Sequence, residues 1–351
     1  MLAGTVAVSH NFGENLGRGY LLDPPNAGNG KRNPSIMANS GHSRNRGERH
    51  MNAGVIGLGD MGSGMARNLI GNGFEVAGFD LDADRMTAFA EMGGRPAADA
   101  AAVGVGADAV FVMVMNGDQA RSVILGDGLA SSMTPGSAVI LSATIKPREA
   151  REIGEALACV GLHLIDTPVS GGFPGSRDGT LTMMAAAPDG ILDRFAPVME
   201  AVSANIHRVG SGPGDGQIVK ACLQSLIGAQ FSATFEAAVL AAKAGVPGQV
   251  ILDVFSTSSA GCGIVNNALE KIIDRRFEGT GSHINTMHKD LAISMDLADA
   301  IGVPMHTAAA ALQIFRAGRS KYPDGDNWAC ARVIEDIVGA ELHRHMAKTR
   351  K

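Results

Sequence analysis

Lys220 follows the segment Gly210-Ser211-Gly212-Pro213-Gly214-Asp215-Gly216 and lies at the start of an apolar run, Ile218 to Ala244, that reads as a buried helix. An amine there can take or give a proton near working pH, because burial and the positive end of its own helix both disfavour its charged form. Far upstream, Ala53-Gly54-Val55-Ile56 runs into Gly57-Leu58-Gly59-Asp60-Met61-Gly62, and a helical pattern, Met65 to Ile70, follows. A strand, this glycine spacing and a helix together form the fingerprint that binds a dinucleotide. Gly57 would make the tight turn, Gly59 would admit the pyrophosphate, and Gly62 would let the helix pack on the strand, with phosphate at the helix N-terminus. The next strand ends at Asp80, eighteen residues past Gly62, where a carboxylate can accept from adenosine ribose hydroxyls. Its charge would repel a 2′-phosphate, and Leu81 rather than an arginine follows it, so NAD is expected over NADP. A dinucleotide site and a proton-transfer amine together imply hydride transfer at an alcohol carbon.

These residues need a scaffold that brings them together. Short β-rich runs alternate with helical stretches at Ala53 to Ile56, Glu75 to Phe79, Ala109 to Met115, Ala138 to Leu141 and His163 to Asp166. Such alternation predicts an α/β fold with a doubly wound, mainly parallel sheet over residues 53–213. After Gly216 the strand patterns stop. Helical pattern continues through breaks at Gly245-Val246-Pro247, Gly279 to Gly281, Gly302-Val303-Pro304 and Tyr322-Pro323-Asp324-Gly325, which predicts an all-α domain over residues 214–345. Lys289 is expected to begin a helix running through Ala300, and Asp326 to cap a last helix, Asn327 to Val338. Met113, Met115, Met183 and Met184 lie in strand-like runs and read as core.

Composition narrows the partners. The chain has 351 residues, 45% of them hydrophobic, which is enough for two domains with substantial cores. A formal charge of −5 gives no basic field for nucleic acid, and no apolar stretch was found to combine the length and freedom from charge of a membrane span. Neither partner is expected; small metabolites are. Cys159, Cys222, Cys262 and Cys330 stand far apart without metal-ligand spacing, and His283 and His288 lack a third ligand, so no metal site is expected. Reduced thiols fit a cytoplasmic setting.

Residues 1–52 are rich in Gly, Asn, Ser, Pro and Arg without apolar periodicity, the profile of a disordered extension. Lys31 to His50 is basic and nearly free of acids, as in transit peptides, but Gly and Pro interrupt any amphipathic helix. A native extension, a targeting segment and an upstream start before Met51 stay open.

From Ala53 to Gly339 the chain resembles the β-hydroxyacid dehydrogenases, a family that includes 3-hydroxyisobutyrate dehydrogenase, tartronate semialdehyde reductase and L-threonate dehydrogenase. Four motifs in the family's order carry the resemblance: Val55 to Gly62; Asp166-Thr167-Pro168-Val169-Ser170-Gly171-Gly172 continued by Gly179-Thr180-Leu181; the Gly-rich approach to Lys220; and His288-Lys289-Asp290-Leu291. The resemblance implies a Rossmann-type domain, a long interdomain helix, a helical C-terminal domain like that of 6-phosphogluconate dehydrogenase, and assembly as homodimers or homotetramers. It also implies Lys220 as the catalytic lysine, Ser170-Gly171-Gly172 as the substrate-carboxylate loop, and Lys289 near the nicotinamide end of the cofactor. Asn116 and Thr144 resemble further cofactor contacts. Gln224 stands where most members have asparagine, as in some of the threonate-dehydrogenase group, and Cys262-Gly263 stands where that group is usually polar.

Lys220 and Gln224 are four apart on a helix and so share a face. With glycine letting a carboxylate approach the chain at Ser170-Gly171-Gly172, this predicts an NAD-dependent oxidoreductase of small hydroxy acids or their semialdehydes, with Lys220 as general acid and base. Two rivals are a reductase of another small carbonyl or an imine on the same fold, and a catalytically silent dinucleotide-binding scaffold. Lys220 speaks against imine reduction, whose enzymes typically lack it, and against the silent module.

Overall fold

The computed structural model describes residues 51–345. The extension expected over residues 1–52 lies, apart from Met51 and Asn52, outside the described residues. Among the described residues nine strands follow one another: β1 Asn52–Ile56, β2 Glu75–Phe79, β3 Arg95–Pro96, β4 Ala109–Val112, β5 Ala138–Leu141, β6 His163–Asp166, β7 Val169–Ser170, β8 Leu181–Ala186 and β9 Ser203–Gly210. They form one sheet in the order β3-β2-β1-β4-β5-β6-β8-β7, with β9 paired to β8. From β1 to β6 every pairing is parallel. β8 runs antiparallel to β6 and β7 and parallel to β9.

The central parallel strands are largely apolar because helices cover both faces. Val55, Phe111, Ile140 and Ile165 pack into one core with Leu69 and Phe195. Their neighbours Ile56, Val110, Val139 and Leu164 pack into the other with Ile153 and Leu157. The order reverses between β2 and β4, on either side of β1, and this is where an open parallel sheet leaves a crevice beyond its strand ends.

After β9 the described residues form helices. The helix Asp215–Lys243 starts against β6, β8 and β9 and then runs through a layer made by Gly263–Ile273, Ile284–Ile301, His306–Lys321 and Ala329–Val338. Phe231 and Phe235 stack on it with ring centroids 5.9 Å apart, closed off by Phe315 and Trp328. Truncating a buried ring such as Phe235 to alanine costs about 3–5 kcal/mol. By length and composition this helix could cross a membrane, contrary to the expectation that no stretch combined the two. Here its buried face is the spine of the helical core. The Gly-Val-Pro breaks fall where expected, with Gly245 and Gly302 left-handed at φ 75° and 73°.

Three local expectations need correction. Lys289 does not begin its helix, which starts at Ile284 because the bond from the Ile284 N–H to the Gly325 carbonyl fixes its entry; Lys289 sits in the second turn. Asp326 does not cap the last helix, Ala329–Val338. Its carboxylate instead accepts from the Thr280 N–H and hydroxyl at 2.7 and 2.6 Å and from the Ser282 N–H at 3.1 Å, pinning the Gly279–Gly281 loop. Met115 is exposed, since β4 ends at Val112 and the apolar run outlasts the strand to line a cleft.

Candidate active site

A cleft of about 2090 Å³ opens over the carboxyl ends of the parallel strands and is walled on its far side by helices. This exceeds the roughly 300–1,000 Å³ of ordinary small-ligand sites and leaves room for a dinucleotide and a small acid together. Gly57, Gly59, Asp60, Met61, Gly62, Asp80, Thr144, Ser170, Gly171, Gly172, Lys220, Gln224 and Lys289 all line it. Two expected residues do not. Leu58 turns its side chain into the core, and Asn116 caps the short helix Gly117–Arg121 by accepting from the Gln119 N–H at 2.9 Å.

The glycine loop has the shape a pyrophosphate needs. At Gly57, with φ 89°, an added Cβ would lie 2.2 Å from the Met113 carbonyl oxygen, and at Gly62 one would lie 1.7 Å from the Gly57 carbonyl oxygen. Those two positions close the turn and seat the helix Asp60–Gly71 on the strand. At Gly59 a Cβ would meet nothing nearer than the Arg85 guanidinium at 3.6 Å, so the space stands free on the cleft side. Asp80 accepts from the Leu58 N–H at 2.7 Å and the Asp82 N–H at 3.0 Å, which fixes its carboxylate at the end of β2. Arg85, not singled out in the sequence, stands 3.4 Å from Asp80 Oδ2 and lines the same wall. Exposed Leu81 plays no part in that pairing.

At the other end, β7 delivers Ser170, and Gly171 and Gly172, at φ 129° and 57°, turn the chain into the helix Gly172–Asp178. Lys220 reaches this loop from the long helix. Its Nζ donates to the Val169 carbonyl at 2.7 Å, one residue before Ser170, while the side chain is buried. Burial pushes its ammonium below the ordinary lysine range; the Asp290 carboxylate opposes that shift, and the Lys289 charge adds to it. Lys289 Nζ donates to the Thr144 carbonyl at 2.6 Å and stands 3.0 Å from Asp290 Oδ1. Gln224, one turn beyond Lys220, donates from Nε2 to Asp290 Oδ2.

Asp290 thus ties Gln224 to Lys289, and beneath the start of the long helix Gln217 Nε2 donates to Asp166 Oδ1 at 2.7 Å; the sequence motifs assign none of these three a role. All three are buried polar residues, and their neighbouring sequence does not mark them as such: Gln217 follows Gly214-Asp215-Gly216 and Asp290 follows His288-Lys289. Among the described residues no three His, Cys, Asp or Glu side chains cluster as metal ligands.

Comparison with known proteins agrees with this architecture. The profile for the NAD binding domain of 6-phosphogluconate dehydrogenase matches residues 52–210. The profile described as NAD-binding of NADP-dependent 3-hydroxyisobutyrate dehydrogenase matches residues 214–334. An L-threonate dehydrogenase of Escherichia coli O6:H1 is 35% identical over 288 residues, covering 81% of this chain and 95% of that enzyme. A 3-hydroxyisobutyrate dehydrogenase of Pseudomonas aeruginosa is 33% identical over 267 residues, covering 74% of this chain and 89% of that enzyme. The crystal structure of a 3-hydroxyisobutyrate dehydrogenase from Salmonella typhimurium superposes with a TM-score of 0.75 at 34% identity, covering 81% of this chain and 99% of that one. A strand-ordered dinucleotide cleft, a buried lysine facing it and this degree of identity along most of the chain make it a member of the β-hydroxyacid dehydrogenase family, enzymes that use a nicotinamide dinucleotide.

Proposed function

We propose that the chain interconverts a small hydroxy acid and its carbonyl form, with Lys220 as general acid and base and NAD as the preferred dinucleotide. The observation that carries this reading is the bond from Lys220 Nζ to the Val169 carbonyl, which holds a buried amine beside the Ser170-Gly171-Gly172 loop. When bound, the nicotinamide ring supplies or accepts the hydride. Ser170 and the glycine backbone hold the substrate carboxylate, since a chain without Cβ atoms lets an anion reach N–H groups. Lys220 takes the hydroxyl proton in oxidation as a neutral amine and returns it in reduction as an ammonium. Lys289, tied to Thr144, places a cation at the nicotinamide end of the cleft. The relatives named L-threonate dehydrogenase support a four-carbon sugar acid as the substrate class. Following NADH formation across threonate, glycerate and 3-hydroxyisobutyrate, with Lys220→Met alongside, tests the whole reading. No turnover of any small hydroxy acid, or more than a tenth of the parent's turnover in the variant, rejects it.

Assembly as a homo-oligomer is part of this reading, supported by Leu226 and Leu240 on the long helix and Val250 and Val254 on the helix Gly248–Thr257, all exposed. A molar mass in solution equal to one chain would reject it.

A further inference from the structure

Gln217 stands three residues before Lys220 on the long helix and is 1% exposed. Both ends of its amide are engaged. Nε2 donates to Asp166 Oδ1 at 2.7 Å and to the Ala143 carbonyl at 3.1 Å, while Oε1 accepts from the Ile145 N–H at 3.0 Å. Thr144, whose carbonyl holds Lys289, lies between the two residues that Gln217 grips. One amide therefore joins the strand end at the nicotinamide side to the helix turn that carries the lysine.

Asp166 completes the joint from the end of β6. It accepts from the Gly214 N–H at 2.8 Å and the Gln217 N–H at 3.3 Å, unpaired donors of the helix's first turn. The helix has no side-chain cap of its own, and its approach is built from Gly210, Gly212, Gly214 and Gly216, which carry no side chains to wedge it in place. A Cβ at Gly216 would lie 2.7 Å from the Asp166 carbonyl oxygen, so the helix start sits directly on β6. The Asp166 and Gln217 hydrogen bonds help set its register along that strand end, beside the close packing of Gly216 and the bond from Lys220 to the Val169 carbonyl.

We propose that Gln217 is the positioning residue that keeps Lys220 in register with Thr144, with Asp166 as the fixed point it holds. This rests on the reading of Lys220 as the acid and base. Displacing a reacting group by about 1 Å can cost about 10²-fold in rate, and Gln217 touches the helix, the Thr144 strand end and Asp166 at once. A residue of this kind affects turnover more than ground-state binding.

The test uses the full chain and whichever of threonate, glycerate and 3-hydroxyisobutyrate it oxidises fastest. Gln217→Ala should retain a cooperative melt and its NADH affinity while kcat falls about 10- to 100-fold and KM changes less than about threefold. A folded variant with kcat near the parent value, or one losing NADH affinity in proportion, overturns the proposal. The exchanged pair Asp166→Asn with Gln217→Glu keeps one carboxylate and one amide in contact, and it serves even where Gln217→Ala does not fold. It should turn over faster than Asp166→Asn alone, which sets two amide donors against each other; a double variant no faster than that single one overturns the proposal. Lys220→Met separates the two readings. Activity above a tenth of the parent in that variant rejects the lysine's role, whereas an inactive Lys220→Met beside an unimpaired Gln217→Ala rejects only the positioning role.

Discussion

Gln224 is hydrogen-bonded to Asp290 across the floor of the cleft, linking the long helix to the helix Ile284–Ile301. A carboxylate only accepts, so the amide nitrogen of Gln224 must face Asp290 and its carbonyl oxygen is the end left for a ligand. The bond orients Gln224 as an acceptor, suited to a substrate hydroxyl. It also places Lys220, Gln224, Asp290 and Lys289 in one electrostatic group, in which Asp290 opposes the fall in the Lys220 pKa.

On the proposed reading, in which the amine acts on the reacting hydroxyl and not on the cofactor's phosphates, Lys220→Met should lower turnover by about 10²–10⁴-fold while NADH still binds. The pH profile carries a second signature. Oxidation needs the neutral amine, and because burial lowers the Lys220 pKa, its rate should rise with pH through a midpoint below the ordinary lysine range. Reduction needs the ammonium and should fall through the same midpoint. Stopped-flow or steady-state rates in both directions check this, and limbs that survive in Lys220→Met would assign the titration elsewhere.

Cofactor choice turns on Asp80 and Arg85 together. In the parent, Arg85 is engaged with Asp80, and the carboxylate repels a 2′-phosphate. NAD should therefore be preferred. Asp80→Ala removes the proposed ribose acceptor and frees Arg85 for a phosphate, so the ratio of kcat/KM for NAD to that for NADP should narrow. Arg85→Ala should widen it. A parent that favours NADP, or an Arg85→Ala variant that shifts toward NADP, refutes the assignment.

The sequence made the sheet's centre legible because β1, β2, β4, β5 and β6 are mostly buried and so appear as short, largely apolar runs bounded by turns. The other end of the sheet was harder. β9, Ser-Ala-Asn-Ile-His-Arg-Val-Gly, has mostly partly or fully exposed residues and no clear alternation, and β3 is two residues ending in proline. Met115 was misread for a related reason: an apolar run cannot tell a core from the wall of a ligand cleft. The motif residues were legible as types with spacings, and Lys220 and Ser170 line the same cleft, with Lys220 bonded to the carbonyl of the preceding Val169. The partners that orient them were not legible, because Asp290 lies 66 positions from Gln224 and Asp166 lies 51 from Gln217, and only folding brings them into contact.

Asp166 makes stability depend on pH in an unusual direction. Burial pushes its carboxyl up to about 6 from 3.8, with hydrogen bonds from Gln217, Gly214 and Gly216 only partly opposing it. Between those values the folded chain holds a proton that the unfolded chain has lost, so this group's contribution is fully present below the lower value and is lost as pH rises through about 6. A shift of this size corresponds to about 3 kcal/mol. Asp166→Asn cannot titrate. The stability of the parent relative to this variant, from urea unfolding at a series of pH values, should therefore fall as pH rises across the window. A difference that is flat, or that grows with pH, contradicts the assignment.

Substrate choice should follow from two contacts at opposite ends of one small molecule. If Ser170-Gly171-Gly172 holds a carboxylate while Lys220 holds the reacting hydroxyl, an uncharged alcohol leaves the loop's polar groups unpaired, and its kcat/KM should be lower by about 10²-fold or more. Ser170→Ala should weaken every acid and leave the poor alcohols unchanged. Gln224, presenting its carbonyl oxygen, can accept from an additional hydroxyl, which threonate and glycerate carry and 3-hydroxyisobutyrate lacks. The polyhydroxylated acids should therefore be preferred, and Gln224→Leu should erase that preference by about tenfold, the worth of one net hydrogen bond at the upper end of its range. The same variant leaves Asp290 without its amide donor, so 3-hydroxyisobutyrate serves as the internal reference for any general loss. Ratios of kcat/KM across the three acids and their uncharged counterparts decide the matter. An alcohol that matches the acids removes the carboxylate contact, and a Gln224→Leu variant with an unchanged threonate to 3-hydroxyisobutyrate ratio removes the hydroxyl contact.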